Sequence, residues 1–229
     1  RRHGFESPAG CRRKSKVHHE KQREEMILKK AVITNFRGIN GSITVNFDLF
    51  NCIVGQNDAG KSTILKALDA SLNETTLSRA DYNVQAQDNQ IIVELFFDCK
   101  NKQYLLGEEI LTTIEGEELT NDENLLVWKK VWNVTETNVS KPKTSIVRKK
   151  YNGTSDFISK TEAQLIAQCT ANTIATAKGN GEAYNNVEKR EKLREFNQQN
   201  NIAFTYEVEE IPGTGTSKLK AIGDAIKKV

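Results

Sequence analysis

The run Gly55-Gln56-Asn57-Asp58-Ala59-Gly60-Lys61-Ser62-Thr63 sets two glycines five residues apart and follows the second with an amine and two hydroxyls. This spacing suits a chain of phosphates. Gly55 and Gly60 permit φ values that a Cβ resists and keep the loop wall close to the anion. Backbone N–H groups from Asn57 to Thr63 would line the concavity, and the first turn of a following helix would add its positive dipole end. Lys61 reaches the β- and γ-phosphates as a point charge. Ser62 offers its hydroxyl to Mg²⁺, which makes ATP with Mg²⁺ the expected ligand.

A strand, a loop and an amphipathic helix must position such a site, and the flanks read that way. Leu49–Val54 is a short apolar run without polar alternation, expected to be a strand covered on both faces as in a parallel sheet. Ile64, Leu65, Leu68 and Leu72 follow as a helical stripe. Upstream, Leu28, Val32 and Phe36 share one face of a strand over Ile27–Phe36, and Ile43, Val45 and Phe47 share one of Ser42–Phe47, with a turn at Arg37–Gly41. Downstream, strands are expected at Ile91–Phe97, Leu125–Val134 and Lys143–Tyr151, the last two paired. A capping box at Ser159–Glu162 opens a helix carrying Leu165, Ile166, Cys169 and Ile174. In Gly181–Asn200 the Glu188–Lys192 spacing predicts a solvated helix. A strand at Ile202–Val208 and a helix at Leu219–Val229 complete the chain.

The segments Ile27–Gly38, Ile43–Phe47 and Asn51–Leu68, with Asn35-Phe36-Arg37-Gly38 ahead of the glycine loop, resemble the amino-terminal end of the SMC/RecF/OLD group of ABC-type P-loop ATPases. The resemblance is strong over Met26–Leu72, and the Gln-Asn-Asp-Ala-Gly-Lys form looks most like the OLD-type and related AAA-type ATPases. It implies an α/β P-loop lobe whose mixed sheet includes antiparallel strands, with helices toward the carboxy terminus. It further implies a Walker A role for Gly55–Thr63, and Arg37 at a strand end beside the γ-phosphate. A plain hairpin arginine is the other reading of Arg37. The group's partners would be ATP, DNA, and a second subunit or lobe that completes a composite site.

Members of the group complete their site with a Ser-Gly-Gly signature, a hydrophobic strand ending in Asp-Glu and a switch histidine, and this sequence holds none of the three. Ile91–Asp98 ends in one acid but is interrupted by Glu94, and reads as an ordinary half-buried strand. Pro212–Lys218 reads as a loop before a helix. Gln164 and Gln168 read as solvent-facing helix positions. His3, His18 and His19 all fall in the first 25 residues.

The composition agrees with a globular chain. It has 229 residues, 37% of them hydrophobic and 28% charged. No apolar stretch nears the roughly 18 residues of a membrane span. Cys11, Cys52, Cys99 and Cys169 lie too far apart for a zinc knuckle or a dense disulfide frame, which points to a reducing cytoplasm. The net charge of +3 is uneven, with eight Lys/Arg against four Glu in residues 1–25 and a nearly neutral remainder. Three regions follow: a basic tail at 1–25, expected to be disordered, an ATPase lobe at 26–155, and a helical segment with the start of a further element at 156–229. Met26 reads as the natural start, with the tail a mistaken gene start or a cloning scar; a basic arm touching DNA or membrane is the other reading, and it lacks the aromatic interleaving such an arm would carry. A uniformly basic nucleic-acid-binding body is excluded.

Overall fold

A computed structural model describes residues 26–55, 60–73, 75–100, 102–105, 110–153, 157–214 and 217–226. Its centre is a six-stranded sheet of β1 (Ile27–Thr34), β2 (Ser42–Asn46), β3 (Gln90–Asp98), β6 (Leu126–Asn133), β7 (Lys143–Tyr151) and β8 (Phe204–Glu210). The strand order is β2-β1-β3-β6-β7-β8 and each neighbouring pair is antiparallel. Two short strands, β4 (Gln103–Leu105) and β5 (Leu111–Thr113), pair separately. The helices are α1 (Lys61–Leu72), α2 (Glu162–Ala171), α3 (Asn186–Gln199) and α4 (Lys218–Ile226). The architecture is α/β, as expected.

One face of the sheet makes the main core. Ala31, Ile33, Ile91, Val93, Leu95, Trp128, Trp132 and Ile146 are buried there together with Ala67 and Ala70 of α1 and Leu219 and Ile222 of α4. At Gly223 an added Cβ would stand 3.0 Å from Ile211 Cγ2, so α4 lies close on the sheet because that position lacks a side chain. A second core of Tyr151, Phe157, Leu165, Cys169 and Leu193 joins α2 and α3 to the end of β7.

Several expectations change. Leu49–Val54 is not a strand. Asp48 and Asn51 form a turn, with the Asn51 amide on the Asp48 carbonyl and the Asp48 carboxylate accepting the Leu49 N–H. No described strand lies beside this run to take its backbone hydrogen bonds, and Leu49, Phe50 and Val54 are 88%, 86% and 82% exposed. In β1 a register shift between Leu28 and Lys30 splits the expected face. Leu28 pairs across from Phe97 on the core side, and Val32 falls on the other side opposite Glu94. On α1 the buried face is Ala67, Ala70 and Ser71, with Leu65 and Leu72 exposed. The α2 cap is Thr161, whose hydroxyl accepts the Gln164 N–H, two residues later than the expected box. Helix α3 is not merely solvated, since Lys189, Arg190, Leu193, Arg194 and Asn197 are buried. Glu188 of α3 pairs with Lys178 and not with Lys192.

Candidate functional site

The site forms where the glycine loop enters α1. Gly60 caps the helix at φ 82° and ψ 6°, the left-handed region, and its carbonyl accepts the N–H of Thr63 at 3.0 Å and of Ile64 at 3.2 Å. An added Cβ at Gly60 would meet nothing within 4 Å, so glycine serves the backbone turn there and not a close contact. The helix start has no side-chain cap and no acid in its first turn. Its positive end is therefore left for an anion. The Lys61 amine donates to the carbonyl of Gly55, drawing together the two ends of the loop. Ser62 is exposed at the same turn. Gln56, Asn57, Asp58 and Ala59 lie outside the described residues. The described parts of the site therefore fit a Mg²⁺-bound polyphosphate: a glycine turn, an uncapped helix start, a lysine at the loop mouth and an accessible hydroxyl.

Arg37 stands at the β1–β2 turn with φ 52°. Its Nε and Nη2 both donate to Asp81 Oδ1, at 2.9 and 2.7 Å. It is thus held by a carboxylate, which the reading of a plain hairpin arginine did not foresee. The Arg37 N–H donates to the Asp81 carbonyl at 2.7 Å, and the Asn83 amide donates to the Arg37 carbonyl at 2.6 Å. Asp81 ends a 3₁₀ turn over Arg79–Asp81, and its Oδ2 accepts the N–H and hydroxyl of Ser78. Burial pushes the Asp81 carboxyl up, but the Ser78 N–H, the Arg37 guanidinium and the Ser78 hydroxyl together hold it below the usual range. Next door, the Asn35 side chain donates to the Gln90 carbonyl and accepts the Gly41 N–H, and Phe36 is buried against the core. Ser78, Asp81 and Asn83 are what sequence reasoning missed. The Ser-x-x-Asp spacing of a capping box was the available signal.

The other expected positions take structural roles. Asp98 ends β3 and accepts the Lys100 N–H. The Gln164 side-chain oxygen accepts the Thr161 N–H. Pro212–Thr214 leads toward α4 as a loop. The three histidines lie outside the described residues. Among the described residues no group of three His, Cys, Asp or Glu is placed to hold a metal ion. No helix among them is long and apolar enough to cross a membrane.

The glycine turn, the lysine and the uncapped helix start are arranged as a P-loop domain would arrange them. The chain belongs to the AAA ATPase domain family, which matches residues 26–227. It is similar to the Structural maintenance of chromosomes protein 3 homolog of Plasmodium falciparum, with 29% identity over 111 residues. That match covers 44% of this chain and 9% of the relative, so the chain spans a small part of the relative's length.

Proposed function

We propose that Gly55–Thr63 binds ATP with Mg²⁺ and that the chain is the ATP-binding lobe of a DNA-associated ATPase working in the cytoplasm, in repair, recombination or anti-phage defence. The observation that carries the nucleotide reading is the uncapped, acid-free start of α1 behind Gly60, with Lys61 at its mouth. The Mg²⁺ would meet the Ser62 hydroxyl and phosphate oxygens, and bound there it would neutralise charge that develops on the phosphoryl group. Arg37 would face the terminal phosphate.

The exposed Leu49, Phe50 and Val54 just ahead of the loop, with exposed Leu65 behind it, support a composite site covered by a further lobe or a second subunit. Apolar surface of this kind next to a ligand loop suits an interface. The division into a tail at 1–25, a lobe at 26–155 and a following segment at 156–229 belongs to the same reading. DNA comes from the family likeness alone.

A second reading has a specific observation behind it. The sequence holds no hydrophobic strand closed by Asp-Glu, which favours a module that holds ATP and responds to it without turnover. Light scattering and fluorescence anisotropy with labelled DNA, each with and without Mg·ATP, separate the two. ATP-dependent association together with DNA retention supports the first reading. ATP binding without either supports the second.

A further inference from the structure

Asp81 and Arg37 differ in exposure: the acid side chain is 11% exposed and the arginine side chain 31%. The contact is one-sided. Arginine carries five N–H donors in a planar fork. Asp81 Oδ1 takes the Nε–H and one hydrogen of Nη2. Of the remaining three, one from Nη1 and one from Nη2 lie along the Nη1/Nη2 edge, and none of the three has an acceptor among the described residues. That edge is the one that meets a phosphate with two parallel hydrogen bonds.

The backbone of Arg37 is fixed by the same segment. Its N–H lies on the Asp81 carbonyl and its carbonyl on the Asn83 amide. The Asn83 N–H in turn donates to the Asn35 carbonyl at 3.0 Å. Asp81 is itself held by two donors from Ser78, and the Phe36 ring lies 5.5 Å from the guanidinium carbon. A long, rotamer-rich side chain is in this way ordered before any ligand arrives, which lowers the entropic cost of binding.

We propose that Asp81 is a positioning residue for Arg37. The Ser78–Asn83 turn grips the guanidinium by its Nε edge, so that the opposite edge is presented to the terminal phosphate of a bound nucleoside triphosphate. This rests on the reading that Arg37 faces the nucleotide. It carries a sign that simple electrostatics would reverse. If Asp81 acted only through its negative charge, removing it would strengthen ATP binding. Positioning requires that ATP binding weaken relative to ADP.

Calorimetry of ATP and ADP binding to the 229-residue chain with Mg²⁺ tests this. Arg37→Ala should weaken ATP about tenfold or more and leave ADP near the wild-type affinity. Asp81→Ala should lower the ATP-to-ADP affinity ratio at least about threefold, and combining it with Arg37→Ala should add no further loss. Asp81→Asn keeps the shape and one oxygen for Arg37. It should show a smaller loss in the same direction, and it serves if Asp81→Ala does not fold. A merely structural role would lower thermal stability and affect both nucleotides equally. An unchanged or raised ratio in folded Asp81→Ala or Asp81→Asn, with Lys61→Ala still weakening both nucleotides, overturns the proposal and leaves the loop reading intact. Unchanged binding in Lys61→Ala overturns both.

Discussion

Arg190 on α3 reaches Glu117, 73 residues earlier, with its Nε at 3.0 Å from Oε2 and its Nη2 at 2.9 Å from Oε1, and both side chains are fully buried. Arg194 adds its Nη2 to Oε2, and the Thr112 hydroxyl donates to Oε1. This cluster ties α3 to β5 and to the turn that follows it. Removing one partner strands buried charge, so Glu117→Ala should cost about 3–5 kcal/mol of folding stability. Urea denaturation measures it, and a loss under about 1 kcal/mol would mean that the arginines find other partners or water.

The same carboxylate sets an acid limit on stability. Burial pushes Glu117 up from its ordinary 4.5, but the Arg194 charge and the Arg190 hydrogen bonds and charge hold it lower. A carboxylate depressed on folding contributes stability that is complete above its unfolded value and is lost as pH falls through its folded one. Asp81 acts in the same sense. The melting temperature should therefore hold steady down to about pH 5 and fall below roughly pH 4.5. In Glu117→Gln the acid slope should be shallower, and an equally steep fall would place the acid sensitivity elsewhere.

Gly60 and Gly38 make a matched pair. Neither has an atom within 4 Å of an added Cβ, but only Gly60 has positive φ, at 82°. Gly60→Ala should cost about 1–2 kcal/mol through backbone strain and weaken ATP binding, whereas Gly38→Ala should leave ATP binding near wild type. The comparison is read by thermal melting and by nucleotide titration. Equal effects of the two would remove the left-handed turn from the explanation.

The 229-residue chain should hydrolyse ATP negligibly even where it binds well. Phosphoryl transfer needs a group to orient the attacking water besides the phosphate cradle. The leading acid, Asp98, follows Phe97 and precedes Cys99, with no second acid beside it. Steady-state phosphate release near about 1–10³ s⁻¹, abolished by both Lys61→Ala and Asp98→Ala, would make Asp98 the missing acid.

Local patterns were legible where the physics was local. The bounds of β7, the pairing of β6 with β7, and the buried Leu126, Trp128, Trp132 and Val134 follow from alternation. The entry from glycine loop to helix follows from composition. What long-range partners decide was not legible. The bulge at Leu28/Lys30 redirects Val32, and Leu49–Val54 has no strand beside it among the described residues. The basic stretch of α3 looks solvated until Glu117, far away in sequence, supplies its counter-charge. The Asp81–Arg37 contact spans 44 residues and leaves only a faint capping pattern in the sequence.

The most direct measurement is calorimetric titration of Mg·ATP into the wild-type chain and into Lys61→Ala. Loss of the charge-assisted contact, worth about 1.5–3 kcal/mol, should weaken binding roughly tenfold to a hundredfold. Equal affinity in the two proteins would contradict nucleotide binding through Gly55–Thr63.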